Sequence, residues 1–213
     1  NKKKVVIIDY KLGNLFSVKQ ACDDVGLNSS ISSNKDIILD ADALILPGVG
    51  AFSEAMKNLN NFGLSELIKI KLKSNTPLFG ICLGLQLLFT KSEEFGNHNG
   101  LNIINGIIKK FPKKNKNKKI KVPHVGWNTI YKSKMNWGLT PINNLKNHDY
   151  MYFVHSFYVK PNDNSCILTK TNYEGLEFCS SIKKSNIFAC QFHPEKSGEI
   201  GINIYKKLKK EYC

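Results

Sequence analysis

The chain has 213 residues, 42% of them hydrophobic and 10% aromatic, a balance that fits one globular domain over 1–213 and excludes a disordered or fibrous chain. Its formal net charge is +14, yet all 31 basic residues are lysine. Without the bidentate fork of arginine, that charge reads as a coding bias toward Lys, Asn and Ile, not as a nucleic-acid surface, and no apolar run reaches the ~18 residues of a membrane helix.

In chain order, KVVIID (4–9) predicts a buried strand. Its apolar run is too short for a signal peptide, and the missing initiator Met implies a processed or trimmed terminus. LGNLFSVKQACDDVG (12–26) predicts a helix with Leu15, Val18, Ala21, Cys22 and Val25 on one face, Asn14 as N-cap and Gly26 as its stop. SSIS (29–32) and ALILP (43–47) predict two further strands, the second running into Pro47-Gly48-Val49-Gly50. Helices are expected from 51 to 73 with a break near Gly63, then a strand at TPLFGI (76–81) and a short helix at LGLQLLFTKS (83–92). Such alternation implies a parallel sheet with helices on both faces.

The second half is richer in strands. IINGIIKKF, VPHVGWNTIY, YMYFVHSFYV, CILTKTNY, GLEFCSSIK and NIFACQF follow one another between turn signals, and GEIGINIYKKLKK (198–210) predicts a closing helix. KKFPKKNKNKKIK (109–121), with eight lysines, reads as a solvated loop. No internal repeat is visible. The six cysteines (Cys22, Cys82, Cys166, Cys179, Cys190, Cys213) form no CxxC pair, so no metal site is expected. Reduced thiols in a cytoplasmic protein are the expectation.

Gly80-Ile81-Cys82-Leu83-Gly84 stands where a strand pattern becomes a helix pattern, the cysteine counterpart of the G-x-S-x-G nucleophile elbow. The competing reading of a cysteine there is a small core residue at a turn. As a nucleophile it would gain from main-chain N–H groups at the helix start, which favour a thiolate and can hold an oxyanion. His193-Pro194-Glu195, after the strand IFACQF, offers a base and a carboxylate to orient it, although alone it would read as an exposed strand-end turn. His98 and His148 lie in polar loops and His124 and His155 in strand patterns, where satisfied core histidines are commoner than catalysts. Pro47-Gly48-Val49-Gly50 could turn amides toward a developing negative charge; it lacks the G-x-G-x-x-G and GK[ST] patterns of nucleotide binders, and no cofactor is expected.

Together, the strand running into PGVG, GICLGLQLLF, PHVGWN, YFVHSF and QFHPEKSG resemble, in order and spacing, the class I glutamine amidotransferases. The early LGNLFSV with PHVGWN and YFVHSF is most similar to the glutaminase subunits of imidazole glycerol phosphate synthase, over about residues 4 to 210. The resemblance implies a flavodoxin-like α/β fold with a mixed, mostly parallel central sheet, flanking helices and a strand-rich second half. It implies a heterodimer with a (β/α)8-barrel cyclase subunit, and hydrolysis of L-glutamine with ammonia passed to that partner. By the same resemblance Cys82 is the nucleophile, His193 the acid and base, and Glu195 the orienting carboxylate. Leu83 N–H with an amide of Val49 or Gly50 forms the oxyanion hole. Gln86, Glu94, Ser156 and Phe157 hold the substrate, and Asn14, Trp127, Tyr152 and Lys196 lie at or near the partner interface. Three other readings stay open: a paralogous subunit supplying ammonia to a nucleotide-sugar or surface-polysaccharide pathway, a stand-alone cysteine hydrolase, and a non-catalytic regulatory partner.

Overall fold

The structure, a computed structural model, describes residues 3–116 and 118–212; Cys213 and Asn117, which fall within segments discussed above, lie outside the described residues. The first half runs β1 (Val5–Ile8), α1 (Leu15–Asp24), β2 (Ser29–Ser32), α2 (Lys35–Leu39), β3 (Ala43–Leu46), α3 (Phe52–Asn61), α4 (Leu64–Lys73), β4 (Leu78–Ile81) and α5 (Leu83–Leu87). There follow β5 (Phe89–Ser92), β6 (His98–Asn99), β7 (Ile104–Lys110), β8 (Lys114–Asn115) and β9 (Lys118–Lys119). The chain continues through β10 (His124–Lys132), β11 (Asp149–His155), β12 (Phe157–Pro161), β13 (Ile167–Tyr173), β14 (Leu176–Lys184), β15 (Ile187–Cys190) and α6 (Gly198–Tyr212).

Five strands in the order β2-β1-β3-β4-β15 pair in parallel. This is the flavodoxin-like doubly wound order, in which ligands sit beyond the carboxyl ends of the strands. β1, β3, β4 and β15 are buried along their whole length, as strands covered on both faces must be. The period of two sorts their side chains between two cores. Val6, Ile8, Leu44 and Leu46 pack with Phe52, Leu59, Leu64 and Ile68 of α3 and α4, whereas Val5, Ile7, Ala43 and Ile45 pack with Val18 and Cys22 of α1 and Tyr205 of α6. Asn14 caps α1, accepting from Ser17 N at 3.3 Å, and Gly26 lies in the left-handed region just past its end. Gly63, at φ +67°, separates α3 from α4 where the sequence marks a break.

Past β15 the sheet turns antiparallel through β14, β12 and β7, with β10 and β11 branching off by way of β13. Two predicted elements change here. The helix expected over 83–92 ends at Leu87, and Phe89–Ser92 is a strand beside Ile104–Ile108. The Leu87 and Leu88 carbonyls accept from Leu101, Ile103 and Ile104 N–H groups, so a distant segment captures the acceptors that a further turn would need. The run YMYFVHSFYV is two strands: β11 pairs with β10, β12 pairs with β7 and β14, and the chain turns a corner at Ser156. Lysines 109–121 are not a free loop. Lys109 and Lys110 close β7, and β8 and β9 form a hairpin next to them. Among the described residues, no helix is long and apolar enough to cross a membrane.

Candidate active site

PGVG follows β3, Cys82 follows β4, and His193 lies three residues past β15, so neighbouring parallel strands deliver all three to one edge of the sheet. Cys82 sits at φ +53°, ψ −108°, a region that side chains other than glycine rarely occupy and that costs on the order of 1–3 kcal/mol. The glycines around it are required by close approach. A Cβ at Gly84 would stand 1.8 Å from the Leu46 carbonyl oxygen, and one at Gly80 would stand 2.9 Å from Ala189 Cβ. The turn therefore packs directly on β3 and β15, with the cysteine N–H bonded to Cys190 O at 2.8 Å. This tight, strained geometry favours the elbow reading over a cysteine that merely fills space.

His193 is 2% exposed and its Nδ1 lies 2.7 Å from Glu195 Oε1. Its main chain is pinned on both sides: N–H to Tyr152 O at 2.9 Å, and O from Ser197 Oγ at 2.6 Å. The ring's Nε2 is buried with no partner in hydrogen-bond geometry, while the Cys82 sulfur is near enough to act on its proton affinity. Burial disfavours the imidazolium, but the Cys82 sulfur and the Glu195 carboxylate outweigh it and raise the His193 pKa to about 10. The arrangement holds a proton on the histidine beside the sulfur, as a thiolate–imidazolium pair requires.

The sulfur opens on a cleft of about 960 Å³ whose walls include Val49, Gly50, Leu83, Gln86, Glu94, Ser156, Phe157 and Lys196. Gln86 is buried, and its Nε2 donates to Phe157 O at 3.2 Å and to Gln191 Oε1 at 3.1 Å, which uses both hydrogens and leaves its oxygen to accept from a ligand. Glu94 has a structural task as well: Oε2 accepts from Phe52 N at 2.5 Å and caps α3, whose own N-cap residue, Ala51, cannot. The Phe157 carbonyl accepts a second bond from His155 Nδ1 at 2.7 Å, so both its lone pairs are taken, and the Ser156 carbonyl accepts from Phe111 N. Leu83 N–H donates to the Gly48 carbonyl at 3.3 Å. The main chain thus presents an oxygen where an oxyanion would need a donor. Four of the lysines read as solvated (Lys110, Lys113, Lys119 and Lys121) also line this cleft, because the β8–β9 hairpin folds to its rim.

Trp127, 55% exposed, stands edge-on to Tyr152 across the β10–β11 pair at 6.0 Å. Tyr152 N–H bonds to Ser197 Oγ, which places it beside the His193 turn, with Lys196 exposed next to it. Asn14 is occupied as the α1 cap, and the neighbouring Gly13 lies against Gly48. His124 and His155 are both buried and satisfied by hydrogen bonds, as strand histidines are expected to be. Two site residues escape sequence reasoning. Tyr10 is fully buried and donates to Pro47 O at 2.6 Å, anchoring the PGVG turn. Gln191 is fully buried and its Nε2 donates to Cys82 Sγ at 3.5 Å. The available signal for Gln191 is a polar residue continuing the apolar run of β15.

Against known proteins, residues 6–207 match the family model described as Glutamine amidotransferase class-I. An imidazole glycerol phosphate synthase subunit HisH of Syntrophotalea carbinolica is 44% identical over 96% of this chain and 98% of its own length. The HisH subunit of Caldanaerobacter subterraneus subsp. tengcongensis is 48% identical over 95% of each chain. Among solved structures, one described as PurLQS from Thermotoga maritima aligns with a TM-score of 0.73 over 99% of both chains at 17% identity, which bears on the fold alone. With a match across nearly its whole length and close relatives of one kind, the chain belongs to the class I glutamine amidotransferases, in the branch of the imidazole glycerol phosphate synthase HisH subunits.

Proposed function

We propose that this chain, as one glutaminase domain in the cytoplasm, hydrolyses L-glutamine to glutamate and ammonia and passes the ammonia to a (β/α)8-barrel cyclase subunit of imidazole glycerol phosphate synthase. The observation that carries the reading is the meeting of Cys82, on its strained elbow, with the buried His193–Glu195 pair at the mouth of one cleft. In this reading Cys82 Sγ attacks the side-chain amide carbon of glutamine. His193 gives its proton to the nitrogen as the C–N bond breaks, and ammonia leaves a glutamyl thioester. His193 then takes a proton from water, whose oxygen attacks the thioester, releasing glutamate and returning the thiolate–imidazolium pair. Glu195 keeps the imidazole oriented and stabilises its charged form. Gln86 Oε1 and the free oxygen of Glu94 suit the α-ammonium of the substrate, with Ser156 and Phe157 as the opposite wall.

The oxyanion donors are Leu83 N–H and an amide of Val49 or Gly50. With Leu83 N–H given to Gly48 O, that hole is closed, and opening it needs the PGVG peptide to turn. Docking of the barrel on the face that carries Asn14, Trp127, Tyr152 and Lys196 would supply the free energy for that turn. The test is co-purification with the barrel subunit followed by glutaminase assays with and without the barrel's nucleotide ligand. The isolated chain is expected to be a poor glutaminase, activity to rise on the order of 100-fold in the liganded complex, and Cys82→Ala to abolish it. Vigorous activity of the chain alone, peptide cleavage by it, or activation only by a nucleotide-sugar-modifying partner would overturn the assignment.

A further inference from the structure

Gln191 takes no part in the chemistry above, does not line the cleft, and is nevertheless the polar side chain in hydrogen-bond contact with the nucleophilic sulfur. The direction of its amide can be worked out from a fixed point. The Phe157 main-chain carbonyl can only accept, so the Gln86 atom 3.2 Å from it is the amide nitrogen. That same nitrogen lies 3.1 Å from the Gln191 side chain, and a donor there demands an acceptor, so the Gln191 atom is oxygen. What remains facing Cys82 Sγ at 3.5 Å is the Gln191 nitrogen, an N–H donor with no other choice. Gln191 and His193 lie two residues apart in the turn just past β15, and both act on the Cys82 sulfur: Gln191 through a hydrogen bond, His193 through its charge.

We propose that Gln191 is a positioning residue for the reaction: its amide, locked in direction by Gln86 and the Phe157 carbonyl, donates to the Cys82 sulfur, favours the thiolate and fixes its direction of attack. A donor to a charged acceptor is worth more than one to a neutral acceptor, so the bond strengthens as the thiol ionises and weakens as it becomes a thioester. The lock runs through Gln86, which also lines the cleft, so a residue of the substrate cleft holds the residue that holds the sulfur. The proposal rests on the reading of Cys82 as the nucleophile.

The experiment follows iodoacetamide alkylation of the Cys82 peptide by mass spectrometry across pH 5–10, in the intact chain, for wild type, Gln191→Leu and Gln191→Glu. The buried Cys22, Cys166, Cys179 and Cys190 do not interfere with a peptide-resolved readout. The alkylation midpoint is expected to rise by about one pH unit in Gln191→Leu. Gln191→Glu, which keeps the shape and the acceptor for Gln86 but sets a carboxylate against the sulfur, is expected to raise it further and guards against a Leu variant that fails to fold. In the complex with its partner subunit, Gln191→Leu should lower kcat about tenfold and leave KM within about twofold. An unmoved midpoint in both variants overturns the role of Gln191 while leaving Cys82 as nucleophile. A KM effect without a kcat effect overturns it in favour of a substrate contact. A wild-type complex whose glutaminase activity survives alkylation of Cys82 removes both readings together.

Discussion

At the end of β15, His193 is buried against a carboxylate and a sulfur; in the β10–β11 ribbon, His124 and His155 are buried against each other. The residue type and the degree of burial are the same, yet the protonation states are opposite. His193 is raised to about 10 because two groups that are negative when ionised outweigh burial. Burial lowers His124 to about 4 and His155 to about 3, and for His155 the neighbouring His124 and His193 push the same way, against the opposing bond to Phe157 O. The hydrogen bonds agree. Asn128 Nδ2 donates to Asn172 O and faces His124 Nε2, which must accept; His124 Nδ1 then donates to His155 Nε2, and His155 Nδ1 to Phe157 O. A neutral pair with one tautomer each satisfies every atom of that chain. Burial alone makes histidine a structural hydrogen-bond relay, and it takes anionic partners to make it an acid.

The contrast can be broken most strongly at Glu195. Gln in its place keeps the shape and removes the charge that holds His193 protonated and oriented, so kcat of the complex is expected to fall by about 10³–10⁴-fold. A loss under tenfold would mean that the sulfur alone sets the state of His193.

A smaller effect is expected in stability against pH. Groups whose folded pKa lies below the unfolded value of about 6.5 stabilise the fold above that value and lose the contribution as pH falls through the folded pKa. For His124 and His155 the unfolded chain takes up protons that the folded chain refuses. Urea denaturation should therefore show stability dropping by on the order of 3 kcal/mol for each histidine between pH 6.5 and 4. The double variant His124→Gln/His155→Gln should flatten that limb, and coincident limbs would clear the pair of responsibility. His193 has the opposite sign: its contribution is complete below about 6.5 and is lost as pH rises through about 10. The smallest effect belongs to His148, exposed at a φ of +70° that asparagine also tolerates. His148→Asn should change unfolding stability by less than about 0.5 kcal/mol, with a larger loss indicating a role that its exposure does not suggest.

Runs of apolar residues with a period of two or 3.6 are local, so β1, α1, β3 and β4 could be placed from the chain alone, as could the Asn14 cap and the break at Gly63. The elbow was legible for the same reason, since its glycines and cysteine are neighbours in sequence and their steric demand is met within one turn. What needed the folded chain was every feature whose partner lies far away. The end of α5 at Leu87 depends on N–H groups of residues 101–104, and the corner at Ser156 depends on β10 and β7 competing for one run. The lysine hairpin could look like a solvated loop until it was seen at the rim of the cleft. Leu83 N–H could look like a free donor until Gly48 O was found on it, and Gln191 like filler until its amide was found on the sulfur. Residue type and spacing were enough to nominate Cys82, His193 and Glu195 as the candidate chemical groups and to mark the strands that are buried, because both patterns are local. Only folding fixed the direction of each hydrogen bond and the shifted proton affinities of His124, His155 and His193, because both are set by groups that it brings within a few ångströms.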